Sequence, residues 1–385
     1  MEDNFYFQIK KLINFIDLKK FNYKLIKSNV KKLINIYGEL KKQWDKINPI
    51  DIKYNIVGLS DKKYDEIINI ININFLSDNP QIKKIMSNTK YIHSLTYSNI
   101  YFYWTSEEKD LDLDNNNYLM AMDMFKITLS LNLYKYDGDD KILRYVIWIP
   151  INKKRNFAYD KISKDNLNKS QEAFEAFVAS GVTFGTIPRI TIITRYEEVE
   201  KLLIHELIHN FNIDGSGFHN HKHMNEILTK YKKIKNMTNY HYEYSIYESY
   251  TEMLSTYLFL LFINIKLKVE GNKLEEKILG QILLEIIYSY NLISNLIKLN
   301  GYSSYKDFKT KMSFNGNICK YEYYYIKGLM YNNWELKFGN NINDFISIYS
   351  SIIEMIKNIK ITDDLMIEQI YTNCVEQKNY KYQIH

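Results

Sequence analysis

Cysteine, proline and glycine are all scarce in this chain of 385 residues, and each shortage excludes something. The 2 cysteines, Cys319 and Cys374, cannot build a disulfide framework, and neither has a CxxC partner for a structural metal site. A reducing, cytoplasmic compartment is therefore expected. With only 4 Pro and 13 Gly, the chain is neither collagen-like nor rich in long disordered linkers. It also lacks the run of about 20 apolar residues that a membrane span needs. The stretch from Tyr257 to Ile265 is too short, and the one from Ile278 to Leu299 is broken by Gln281, Glu285, Asn291 and Asn295. The opening Met1-Glu2-Asp3-Asn4 is acidic where a secretory leader is basic, so no leader is expected. Neither sign of charge dominates: 51 basic residues face 45 acidic ones, for a net charge of +6. The run Lys153-Lys154-Arg155 passes at once into Asn156 and Phe157, as at a solvated strand end, and nucleic acid is not an expected partner.

What is present is a globular composition, 46% hydrophobic and 25% charged, in a chain long enough for more than one core. From Phe5 to about Ile73 apolar residues recur at helical spacing, as in Ile9, Leu12, Ile13 and Ile16, which predicts a helical N-terminal region over 1–90. Asp78-Asn79-Pro80 is a turn signal, and the aromatic and β-branched texture that follows, Tyr97 to Trp104, predicts a sheet starting near residue 91. A helix is expected over 118–133 and strands over 144–150 and 190–194. A helix from about Leu202 to Phe211 follows the second strand and ends in Asn212-Ile213-Asp214-Gly215-Ser216-Gly217. A second strong helix candidate runs over 244–261, and the chain from 271 to 385 is helical in pattern. The expected fold is α+β, with a mixed catalytic core over 91–270 between predominantly helical N- and C-terminal regions.

The chemistry concentrates in His205-Glu206-Leu207-Ile208-His209, an HExxH motif. On a helix, residues four apart project from one face with Cβ atoms about 5–6 Å apart, so two imidazoles can ligate one ion. Glu206 is turned about 100° from His205, where its carboxylate can act on a water as general base. The alternative is a chance match on an amphipathic helix. A catalytic zinc takes three protein ligands and keeps a fourth position open. Glu248 and Glu252 lie four apart on the later helix, where two carboxylates are costly unless something neutralises them. Glu248 as third ligand and Glu252 as second-shell acceptor from a histidine N–H uses both; the alternative is a pair of solvated acids. His219, His221 and His223 compete as ligands. The metzincin spacing fails, because Asn212 and Gly215 stand where a glycine and a histidine belong. His241, Tyr247 and Tyr250 are candidates to stabilise an oxyanion, and Arg195 reads equally well as an ion-pair former.

Ile204 to Phe211 followed by Tyr247-Glu248-Ser249-Tyr250-Thr251-Glu252 resembles the gluzincin class of zinc metallopeptidases, whose pattern is HExxH and a later Glu-x-x-x-Asp/Glu. The gap between the two motifs is longer than in thermolysin-like members, and an inserted loop carrying the three histidines accounts for it. More narrowly, Ser-Gly-x-Thr before a strand, then Arg-x-Glu-Glu and the zinc motif, resembles uncharacterised metallopeptidase-like proteins of large DNA viruses, over roughly residues 140–260. The resemblance implies a zincin-like fold, a Zn2+ cofactor held by His205, His209 and Glu248, and metalloendopeptidase activity in which Glu206 takes a proton from the zinc-activated water. Its location would be host cytoplasm or virion. The expected partner is a polypeptide, extended along strand 190–194. The alternative from another class is a catalytically inactive zincin-fold protein serving as a structural or interaction component. Oligomeric state and substrate have no signature in the sequence.

Overall fold

The computed structural model describes residues 21–73, 80–109, 116–134, 142–151, 181–185, 188–194, 196, 198–218, 221–224, 226–227, 242–299, 302–307 and 322–358. The described residues form two compact units. Those from 36 to 154 and from 177 to 213 make a sheet unit, and those up to 35 and from 214 onward make a helical unit. No described helix is long and apolar enough to cross a membrane.

The sheet unit carries six strands: β1 (Lys53–Gly58), β2 (Tyr91–Tyr97), β3 (Ile100–Ser106), β4 (Arg144–Trp148), β5 (Gly181–Phe184) and β6 (Arg189–Ile193). They lie in the order β1-β2-β3-β4-β6-β5. The β3–β4 and β4–β6 pairs are parallel, and the other three pairs are antiparallel. β1 corrects the helical pattern expected from Phe5 to about Ile73: a strand of six residues, the first three of them exposed, carries little apolar alternation. Between β2 and β3 the chain reverses at Ser98, which takes φ 53° at the first position of a two-residue turn.

Side chains alternate across this sheet. One face, with Ile92, Tyr103, Ile147, Ile190 and Ile192, packs with Tyr64, Ile67 and Ile71 of α2 (Lys62–Ile73) into a single buried cluster. α3 (Pro80–Asn88) adds Ile85 and Met86 to its margin. The opposite face receives α4 (Asn116–Tyr134), whose Phe125 meets Phe102 edge-on at 6.1 Å, and α5 (Val199–Asn210), which packs on β5 and β6. α4 is apolar almost all round, as a helix buried along most of its length must be.

The helical unit begins with residues 23–35 of α1 (Tyr23–Lys46) and contains α6 (Tyr242–Lys266), α7 (Asn272–Leu299), α8 (Glu322–Asn333) and α9 (Ile342–Lys357). α8 packs on α6 and α7. At Gly328 of α8 a Cβ would lie 2.9 Å from Ile293 of α7, so only glycine permits that approach. Asn29 of α1 is buried and fully used. Its amide donates to the Trp334 carbonyl at 3.1 Å, and its oxygen accepts from the Leu336 N–H at 2.8 Å.

Candidate metal centre

α5 is held at its C-terminal end by the sheet unit. Its C-terminus closes as a Schellman motif: the Ile213 N–H donates to the Ile208 carbonyl at 2.8 Å, and the Asn212 N–H to the His209 carbonyl at 3.0 Å. Asn212 takes the left-handed conformation this needs, φ 54°. Beyond that end, the Arg189 guanidinium donates to the Asn210 carbonyl, and the Arg144 guanidinium lies 4.9 Å over the Phe211 ring. Two cations at a helix C-terminus complement its partial negative charge. The helix carrying HExxH is thereby fixed in rotation and height against β5 and β6.

That fixing aims its residues. His205 and His209 lie one turn apart, both half-buried, with ring centroids 5.1 Å apart. Glu206 points to the sheet and is buried, 7% exposed. A carboxylate so far from water needs hydrogen bonds, and β5 supplies one, since Thr183 Oγ1 donates to Glu206 Oε2 at 2.9 Å. The network continues through the sheet: the Asn210 amide donates to Thr191 Oγ1 at 3.0 Å, and the Thr191 and Thr183 hydroxyls lie 3.0 Å apart. Two residues before Thr183, and so on the same face, is Gly181. A Cβ there would lie 2.8 Å from both Cγ and Oε1 of Glu206. The Ser-Gly-x-Thr segment thus has a physical meaning that sequence reasoning missed. Gly181 leaves the volume that the Glu206 carboxylate occupies, and Thr183 binds its oxygen. The signal was the spacing of two between glycine and threonine, the period of a strand facing one helix.

The expected substrate strand needs correction in its geometry. Residues 189–193 are β6, which pairs with β4 on one side and β5 on the other, so both of its edges are filled. β5 is the outer strand, and among the described residues no strand pairs with its far edge.

In the helical unit, Glu248 and Glu252 stand one turn apart on α6, Glu248 half-buried and Glu252 buried. A cation that sequence reasoning missed reaches Glu252: Lys327 of α8, whose side chain is 1% exposed, places Nζ 3.5 Å from Glu252 and 3.8 Å from Glu285. Ser255 donates to the Glu252 carbonyl at 2.9 Å. Tyr247 lies inside the unit, its ring 4.5 Å from that of Tyr349, and the Tyr250 hydroxyl donates to the Lys337 carbonyl at 2.7 Å. Burial holds the Tyr349 hydroxyl well above the ordinary tyrosine range, Asp214 adding to the effect, and so protonated. It donates to the Asp214 carbonyl at 2.7 Å, while Thr251 of α6 donates to the Asp214 carboxylate at 2.8 Å. Asp214 therefore joins α6 and α9 within the helical unit.

His221 and His223 are exposed, their rings 5.5 Å apart, and His223 faces Glu226 at 3.3 Å. His219, His241 and Arg195 lie outside the described residues.

No family model and no solved structure matches the chain. It is similar to an uncharacterised protein of Acanthamoeba polyphaga mimivirus, 27% identical over 248 residues. The match takes in 57% of this chain and 60% of the mimivirus protein, so the chain spans well under two thirds of that relative. The resemblance to proteins of large viruses thus has a distant counterpart, and what these findings establish is a mixed α/β chain, largely helical, built around one six-stranded sheet.

Proposed function

We propose that this chain is a zinc metallopeptidase of zincin type, in which His205, His209 and Glu248 bind one zinc and Glu206 is the general base. The observation that carries the reading is the setting of Glu206 in the sheet unit. A glycine and a threonine of the outer strand keep a buried carboxylate in one position, one residue from a histidine whose partner a turn later lies beside it. A chance HExxH on a packing helix has no use for such a mould.

The donor set suits zinc, which takes imidazole nitrogen and carboxylate oxygen and in catalytic sites has three protein ligands. When bound, zinc supplies Lewis acidity that brings a water toward neutral pKa and polarises a carbonyl. The residues do the rest. Glu206 accepts the proton of the attacking water and returns it to the leaving amine. Glu252, held by Lys327, is the candidate to accept a hydrogen bond from the N–H of a liganding histidine. A polypeptide substrate would lie extended along the far edge of β5, adding a strand to the sheet.

The test is Glu206→Gln, assayed for bound zinc and for cleavage of fluorescently labelled casein. The expected outcome is full zinc content with hydrolysis reduced by at least about a hundredfold. A Glu206→Gln protein as active as the wild type would overturn the assignment, and a zinc-loaded wild type that cleaves no polypeptide would leave a zincin-like binding protein.

A further inference from the structure

We infer that Thr183 is a positioning residue for Glu206, the last member of a directed hydrogen-bond relay running Asn210 to Thr191 to Thr183 to the Glu206 carboxylate; this rests on Glu206 acting as the general base. The direction follows from proton counting. The Asn210 side-chain amide occupies a lone pair of Thr191 Oγ1 at 3.0 Å and leaves that hydroxyl proton to be given onward. The nearest acceptor is Thr183 Oγ1, 3.0 Å away. Thr183 has one proton and two acceptors at 2.9 Å, the Glu206 backbone carbonyl and carboxylate Oε2. The carbonyl belongs to the helix ladder of α5 and the carboxylate is the stronger acceptor, so the proton goes to Oε2. Each bond in such a chain polarises the next.

The consequence is asymmetry. Oε2 is tied to the sheet by Thr183, and Oε1 lies on the side where the missing Cβ of Gly181 leaves room. Thr183 also lies on the outer strand, so a peptide added to that edge would bear on the residue that sets the base. Residue type is prescribed at three positions. A Cβ at position 181 would force Glu206 to shift, position 183 needs a hydroxyl, and position 191 needs a group that both accepts and donates.

The experiment compares wild type, Thr183→Val and Thr183→Ser by three readouts: zinc per chain, kcat and KM on labelled casein, and the carboxyl 13C resonance of Glu206 in glutamate-labelled protein, assigned with Glu206→Gln. Thr183→Val is expected to keep its zinc and its KM, lose roughly tenfold or more in kcat, and shift the Glu206 resonance. Thr183→Ser, which restores the hydroxyl, should return both kcat and resonance to wild type, as a merely structural role for the threonine methyl would not. Wild-type kcat in a zinc-loaded Thr183→Val protein overturns the inference. If wild type binds no zinc or cleaves nothing, the peptidase reading fails by itself, and the resonance still decides the relay: unmoved in Thr183→Val, it overturns it.

Discussion

Glu206 and Glu252 are both buried from water, and each depends on a neighbour that a single substitution removes. Glu206 depends on the absence of atoms at 181. Gly181→Ala places a methyl where Cγ and Oε1 of Glu206 now lie, 2.8 Å from the new carbon, so the carboxylate must leave its position or β5 must move. The expected cost is about 1–3 kcal/mol, the usual range for overpacking, seen as a lower urea midpoint, with zinc retained and casein cleavage reduced together. Unchanged stability and cleavage would contradict the mould. Lys327 is the other case. Its removal takes away the cation that both Glu252 and Glu285 approach, and Lys327→Met is expected to destabilise the chain by about 3–5 kcal/mol, the range for breaking a buried ion pair from one side. Replacing Glu252 by Gln in the same chain should recover part of that loss, and a double variant no better than Lys327→Met alone would count against the pairing.

At the scale of the element, much could be read in advance. The helix over 118–133, the strands over 144–150 and 190–194, the helix bearing HExxH and the one bearing Glu248 all appear as α4, β4, β6, α5 and α6, because each has a long periodic or β-branched signature. β1 was not legible, since its first three residues are exposed and its pairing with β2 is a long-range choice. Nor was the order of strands, and this mattered most: a strand directly before the motif helix looks like an edge in sequence, while β5, four residues long, takes the edge. HExxH was legible as a motif, whereas the Gly181 and Thr183 contacts exist only once β5 and α5 are packed. The stop after α5 offers an element-scale prediction. Asn212 at φ 54° sits where glycine costs nothing and a β-branched side chain clashes. Asn212→Gly is expected to be neutral within about 0.5 kcal/mol, and Asn212→Val to cost about 1–3 kcal/mol. Equal unfolding midpoints for the two would contradict the Schellman ending.

For the molecule as a whole, tyrosine is the abundant reporter, with 35 in the chain. Burial raises the hydroxyls of Tyr257, Tyr331 and Tyr349 in the helical unit and of Tyr103 in the sheet unit, and pushes that of Tyr134 up to about 12, with Glu39 adding to the last. In the unfolded chain these groups ionise near pH 10. Their contribution to stability is therefore complete below about pH 10 and is lost as pH rises above it, because the unfolded chain releases protons that the folded one keeps. Urea midpoints should be flat from pH 8 to 9 and fall from pH 10 to 11, with the last tyrosinate absorbance arriving only as the fold is lost. A smooth titration of every tyrosine in a chain still folded would contradict this burial.

The central claim, that a zinc ion is held by His205, His209 and Glu248, is tested most directly by metal analysis of protein purified without added zinc, comparing wild type with His205→Ala, Glu248→Ala and Glu252→Ala. The account predicts one zinc per wild-type chain, none in His205→Ala and Glu248→Ala, and a weakened but present ion in Glu252→Ala. A wild-type chain that takes up no metal even when zinc is supplied, or a Glu248→Ala chain that holds it as tightly as wild type, would contradict it.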